Sequence, residues 1–175
     1  MNIWQGRNDG GDPLYHRIFQ RVKIAKNQLE VEGNAFALHG FAVDEGVKRN
    51  KGIIGAASAP DIIRKNMANF PVVNPEFTLM DFGNVTCENG NLEQAQENLA
   101  QKVSGILAQN GKSIVLGGGH EVTFAHYSGI RKAFPQEKIG IINIDAHFDN
   151  REPENVASSG TGFWQIAQEG DIHSL

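Results

Sequence analysis

Three side chains able to hold a metal ion fall at alternate positions in Asn143-Ile144-Asp145-Ala146-His147-Phe148-Asp149. They follow the apolar run Ile139-Gly140-Ile141-Ile142. In an extended chain residues at i, i+2 and i+4 project to one side, so Asp145, His147 and Asp149 are expected to converge just beyond a strand. A second such place is Gly117-Gly118-Gly119-His120-Glu121, directly after Ile114-Val115-Leu116. Glycines without Cβ permit a tight turn that lets the His120 imidazole reach inward. The set His120, Asp145, His147 and Asp149 offers two imidazoles, two carboxylates and no thiolate, which suits manganese or zinc rather than a soft metal or an iron–sulfur cluster. Carboxylates can bridge two ions, and paired ions can hold a hydroxide at neutral pH, which is the chemistry of hydrolysis.

Plainer readings exist for the same residues. An Asp-x-His-x-Asp string can be a polar turn in which Asp145 caps local backbone groups. The glycine run could cradle a phosphate, although it lacks both the G-x-G-x-x-G spacing and the Lys-Ser/Thr of a P-loop. Glu121 could be a ligand, an outer partner of a metal-bound imidazole, or the first-turn acid of a following helix, and the last two are preferred. His16, His39, His126 and His173 have no ligand partners at useful spacing, and His39, inside an apolar run, reads as a satisfied core histidine. Cys87 has no basic neighbour to activate it and reads as a structural thiol. Trp4 and Trp164 read as packing residues.

The elements that must position these groups follow from periodicity. Residues 35–41 form a buried-type strand, followed by a polar loop over 44–52 that is either a solvated connection or, because it follows a strand end, a substrate loop. Ser58-Ala59-Pro60-Asp61 starts a helix with Ile62, Ile63, Met67 and Phe70 as its apolar face. A second strand spans 77–82 and ends at Gly83. Asn91 opens the longest helix, with Gln94 as a capping-box-like partner and Ala95, Leu99, Val103, Ile106 and Leu107 on its apolar face. A third strand, 113–116, leads into the glycine turn. A helix over 122–134, a fourth strand over 139–144 and a short helix over 163–168 follow. Strands alternating with helices, each strand apolar throughout, predict an α/β fold: a mainly parallel sheet in a three-layer α-β-α arrangement. Ligands bind such sheets beyond the C-terminal strand ends, where His120 and the Asp145–Asp149 group fall.

The 175 residues suffice for one domain with a core, read as a single unit over 1–175 with an irregular arm at 1–34 and βα repeats over 35–175. Sixteen basic against twenty acidic side chains give a net charge of −4, which favours neither nucleic acid nor an anionic membrane as partner. A single cysteine excludes an internal disulfide and fits a reducing compartment. Nothing resembles a signal peptide or a membrane span, so the expectation is a soluble, cytoplasmic protein.

Val115-Leu116-Gly117-Gly118-Gly119-His120-Glu121 and Gly140 through Asp149 resemble the first two metal motifs of the ureohydrolase (arginase and agmatinase) superfamily. The resemblance is closer to its formimidoylglutamase branch. That branch has Gly-Gly-Gly-His-Glu or -Asp where arginase and agmatinase have Gly-Gly-Asp-His-Ser. It also resembles this chain at Trp4-Gln5-Gly6-Arg7, over 44–52 followed by Gly55-Ala56, and at Ser158-Ser159-Gly160-Thr161-x-Phe163. Ser159 stands where agmatinase-like members have a histidine, which counts against a guanidino substrate. The resemblance implies an arginase-like fold and two manganese ions. His120 and Asp149 would bind one ion, His147 the other, and Asp145 both. It implies hydrolysis of the linear amidine bond of N-formimidoyl-L-glutamate, in histidine degradation, by a manganese-bridged hydroxide, giving L-glutamate and formamide. Arg49, Asn50, Ser159 and Thr161 are the candidates to bind this small substrate, and homo-oligomers occur in the superfamily.

The family also carries a later Asp-x-Asp motif that this sequence lacks. The chain is therefore expected to be truncated at its C-terminus, to end its sheet in an exposed apolar edge and to turn over little by itself. Asn150 and Gly162 replace the family's usual leucine and proline. The alternatives are an agmatinase-like amidino or amide hydrolase and a non-catalytic fragment.

Overall fold

A computed structural model describes residues 3–26 and 31–169; His173 lies outside them. Four strands form one parallel sheet: β1 (Lys23–Ile24), β2 (Phe36–Ala42), β3 (Leu79–Thr86) and β4 (Lys112–Leu116), in the order β1-β3-β2-β4. β2 pairs with β3 from Phe36↔Leu79 to Ala42↔Thr86 and with β4 from Phe36↔Lys112 to Gly40↔Leu116. The helices are α1 (Ile18–Arg21), α2 (Glu45–Arg49), α3 (Ala59–Met67), α4 (Leu92–Leu107), α5 (Val122–Ala133) and α6 (Gly162–Gln168).

The sheet is covered on both faces, as its apolar strands require. On one face Phe41, Val43 and Val85 pack against Leu92, Ala95, Leu99 and Val103 of α4 and Ala125 of α5. On the other, Leu38 and Leu79 meet Trp4 and Ala68, with Phe19 and Met67 against them. The Asn91 side chain accepts from the Gln94 amide at 3.0 Å and caps α4. The Gln94 side chain turns instead to Asn98, so the box is not closed.

Five expectations are corrected. The N-terminal arm is not wholly irregular: a 3-10 turn (Pro13–Tyr15), α1 and β1 lie within it, and β1 pairs with Met80 and Asp81. The stretch 44–52 contains α2, whose Glu45 lies in the first turn and Lys48 and Arg49 in the last, each favourable to the helix dipole. The buried face of α3 is Pro60, Arg64 and Ala68, while Ile62 is half exposed. Arg64 turns inward because Asp81 of β3 waits beneath it: two guanidinium nitrogens each lie 2.8 Å from its carboxylate. Trp4 Nε1 donates to the same carboxylate at 2.7 Å, which ties the arm to the sheet.

The second strand does not stop at Gly83. The register slips between Leu38↔Asp81 and Gly40↔Asn84, a bulge in β3 that Gly83 accommodates at φ 72°, and pairing continues to Thr86. Residues 139–144 form no strand. A strand persists only if a neighbour takes up its backbone N–H and C=O groups, and the described sheet ends at β4. Ile142 and Ile144 are consequently 91% and 95% exposed.

Candidate metal centre

The site forms where β4 gives way to α5. Gly118 lies so close to β2 that a Cβ there would sit 2.1 Å from the Val43 carbonyl oxygen. The Gly119 N–H donates to that same oxygen at 2.8 Å. The glycine run thus serves close backbone approach, and the chain turns out at His120. The His120 ring stands edge-on to Phe163 of α6, centroids 6.2 Å apart. The Phe163 N–H donates to the Asp149 carbonyl and the Arg151 N–H to the Gly160 carbonyl, each at 3.1 Å. These bonds hold the stretch after Asp149 against the start of α6 and bring Asp149 beside His120.

One ligand atom each from His120, Asp145 and Asp149 can be chosen so that all lie within 4.8 Å of one another. His120 Nδ1 meets the Asp149 carboxylate and lies 3.6 Å from Asp145 Oδ2. One imidazole and two carboxylates, partly open to solvent, form a hard donor set that fits a divalent ion of the manganese or zinc kind. His147 is not gathered in. Its side chain is 81% exposed, and its Nδ1 lies 3.5 Å from Asp145 Oδ1. The expected pleat is absent, and a turn takes its place. The His147 N–H donates to Asp145 Oδ1 at 2.8 Å, and Asp149 adopts a left-handed φ of 45°. The turn-capping role of Asp145 and its place in the cluster hold together. The His147 N–H is also the main cause holding the Asp145 carboxyl below its ordinary pKa.

The four residues expected to meet a substrate occupy two facing segments. The Asn50 side-chain amide donates to Ser159 Oγ at 3.1 Å. Arg49 is engaged elsewhere: it pairs with Glu93 at 2.6 Å and donates to the Gly90 and Ala157 carbonyls. Its guanidinium pKa is raised by that hydrogen-bonded Glu93. Thr161 is buried, its hydroxyl shared between the backbone of Ser158 and Gln165 Oε1.

Glu121 takes a role that the sequence did not suggest. It is fully buried, and its Oε1 accepts from the Gly46 N–H at 2.8 Å. The Gly46 carbonyl in turn accepts from the Ser159 N–H at 3.1 Å. One residue, Gly46, therefore locks the glycine turn, α2 and the segment 158–161 together. Burial pushes the Glu121 carboxyl above its ordinary pKa, against the Gly46 N–H. The adjacency of a glycine-led carboxylate and a second glycine in a loop was the available signal, but nothing in spacing joins residues 75 apart. His39 is buried as expected but not satisfied: neither ring nitrogen has a hydrogen-bond partner among the described residues, and its ring tilts against Phe82 at 5.2 Å. The Cys87 thiol is raised in pKa, first by burial, in keeping with a structural role.

Residues 34–174 match the Arginase family. The chain is 46% identical over 172 residues to a formimidoylglutamase from Geobacillus sp. (strain WCH70), which covers 95% of this chain and 53% of the relative. A Trypanosoma cruzi formiminoglutamase solved with Mn2+ superposes with a TM-score of 0.75 at 31% identity, over 85% of this chain and 51% of that one. The Bacillus subtilis formimidoylglutamase superposes with a TM-score of 0.78 over 94% of this chain and 52% of that one; at 17% identity the likeness is one of fold. The chain spans about half the length of the relatives it matches. No helix among the described residues is long and apolar enough to cross a membrane.

Proposed function

Because this chain belongs to the arginase family, we propose that it carries the metal-binding part of a formimidoylglutamase. That enzyme cleaves the amidine C–N bond of N-formimidoyl-L-glutamate to L-glutamate and formamide, a step of histidine degradation in the cytoplasm. The observation that supports this most is the convergence of His120, Asp145 and Asp149, together with 46% identity to a formimidoylglutamase over nearly the whole chain.

His120, Asp145 and Asp149 would hold manganese, and His147, now exposed, would serve as a ligand only if its side chain turned inward. Bound manganese supplies Lewis-acid polarisation and lowers the pKa of water to near neutrality. The chain's own residues orient the rest. Asn50 and Ser159 face each other as neutral donors suited to a substrate carboxylate, with no imidazole between them. Arg49 and Thr161 act one step back, Arg49 holding α2 to α4 and Thr161 tying Ser158 to the Gln165 side chain of α6. The Glu121–Gly46–Ser159 relay sets the distance between the metal turn and the substrate side.

The test has two readouts. Titration of the purified chain with Mn2+, followed by electron paramagnetic resonance, is expected to show binding that His120→Ala and Asp149→Asn each weaken at least tenfold. A fusion of the chain to the unmatched half of the Geobacillus relative is expected to release formamide from N-formimidoyl-L-glutamate in a Mn2+-dependent way, with little release of urea from agmatine or arginine. Binding indifferent to both substitutions, or turnover of agmatine in preference, would overturn the reading.

A further inference from the structure

Glu121 follows His120 in the chain, and adjacency alone would assign it to the metal. Its hydrogen bonds assign it elsewhere. The opening N–H groups of a helix lack partners within the helix. In α2 the residue placed to help does not: the Asp44 carboxylate accepts from the Gly55 N–H at 2.7 Å and the Ala57 N–H at 3.3 Å, and no side chain caps α2 locally. Glu121, 75 residues away in sequence, takes up the Gly46 N–H instead. A charged acceptor strengthens such a bond, and a buried N–H left without one is costly. The carboxylate is closely fitted, since a Cβ on Gly119 would strike its second oxygen.

The Gly46 carbonyl accepts twice, from the Asn50 N–H at 3.0 Å and from the Ser159 N–H at 3.1 Å. Asn50 and Ser159 are the two residues whose side chains meet on the substrate side, so a single carbonyl sets the main chain of both. His120 is held by other bonds. The Gly119 N–H donates to the Val43 carbonyl, the Val122 N–H to Gly119 and the Thr123 N–H to His120, while the Gln96 side chain donates to the Glu121 carbonyl at 2.9 Å. None of these uses the Glu121 carboxylate. We propose that Glu121 is a positioning residue for the substrate rather than for the metal: it fixes Gly46 and, through the Gly46 carbonyl, the spacing of Asn50 and Ser159. The identity of that substrate rests on the formimidoylglutamase reading; the hydrogen bonds do not. Arg49, which ties the last turn of α2 to Glu93, Gly90 and Ala157, keeps the helix attached when the carboxylate is removed.

The test begins with amide hydrogen exchange in the 175-residue chain, where the Asn50 and Ser159 N–H groups are expected to be protected. Glu121→Met keeps an unbranched side chain but removes the acceptor, and should speed exchange at both amides about tenfold. Glu121→Gln keeps an oxygen for the Gly46 N–H and should restore protection. Mn2+ binding, followed by electron paramagnetic resonance, should be unchanged in both variants. In the fusion to the unmatched half of the Geobacillus relative, Glu121→Met should raise the KM for N-formimidoyl-L-glutamate about tenfold with kcat little changed, and Glu121→Gln should return it. Unprotected amides at Asn50 and Ser159 in the wild-type chain would overturn the proposal. So would a Glu121→Met chain that binds Mn2+ more weakly or no longer melts cooperatively, since Glu121 would then serve the metal or the fold. A Glu121→Gln protein that behaves like Glu121→Met, or a Glu121→Met fusion that loses kcat at unchanged KM, would overturn it too. A wild-type fusion that releases no formamide counts against the proposed activity alone, and exchange and Mn2+ binding in the chain then decide the role of Glu121.

Discussion

His39 is the place where acid should weaken the fold. Burial is the main cause that pulls its imidazole from 6.5 down to about 4. Lys102 and His126 on the covering helices and Arg64 push in the same direction, and Asp81 opposes them. The sign is fixed by which state binds the proton. The folded protein keeps the ring neutral, whereas the unfolded chain protonates it below about 6.5. The stability it contributes is therefore complete above that pH and is lost as pH falls towards 4. The whole gap is worth about 3 kcal/mol, and about 2 kcal/mol of it falls between pH 7 and pH 5. With a urea dependence of roughly 2 kcal/mol per molar, the midpoint should drop by about 1 M over that range. His126, also lowered by burial, adds to the loss, so the informative quantity is a difference. His39→Leu removes two unpartnered nitrogens from an apolar face and should keep or raise stability at pH 7. Its urea midpoint should fall by about 1 M less than wild type on going to pH 5. Parallel pH profiles for the two proteins would refute the reasoning.

Two further outcomes follow from packing around single groups. A Cβ on Gly46 would lie 2.5 Å from the Glu121 carboxyl carbon, so Gly46→Ala should cost about 1–3 kcal/mol in chemical denaturation. Adding Glu121→Ser should recover part of it. Arg64→Met would leave the buried Asp81 without its counter-charge and should cost about 3–5 kcal/mol, whereas Arg64→Met/Asp81→Leu should be milder than the single change. An Arg64→Met protein as stable as wild type would show that the pair is not the organising contact on that face.

Much of this architecture was legible because apolar runs and caps carry their own signal. Residues 35–41 become β2 almost as read, and Asn91 caps α4 as its side chain predicts. The sequence misled where a partner distant in the chain decides the outcome. Gly83 looks like a strand end, yet the neighbour β2 carries β3 through it as a bulge. Ile62 looks more fit for burial than Arg64, but only Arg64 can answer the Asp81 carboxylate beneath α3. Of the three alternate side chains, the structure brings Asp145 and Asp149 beside His120. The turn that excludes His147 depends on whether a strand forms, and that depends on a neighbour rather than on residues 139–149 themselves.

The contact between Trp4 and Asp81 has an optical consequence. Trp4 is buried, with its indole N–H fixed on a carboxylate that Arg64 also grips, and the only other tryptophan, Trp164, lies on α6 next in sequence to the Phe163 that meets His120. The two fluorophores therefore report on different places: Trp4 on the packing around Leu38 and Leu79, Trp164 on the helix whose Phe163 meets His120. In a Trp164→Phe protein, the wavelength and intensity of indole emission become a direct record of whether the N-terminal arm is seated. In a Trp4→Phe protein, quenching by a paramagnetic ion such as Mn2+ becomes a record of occupancy beside His120.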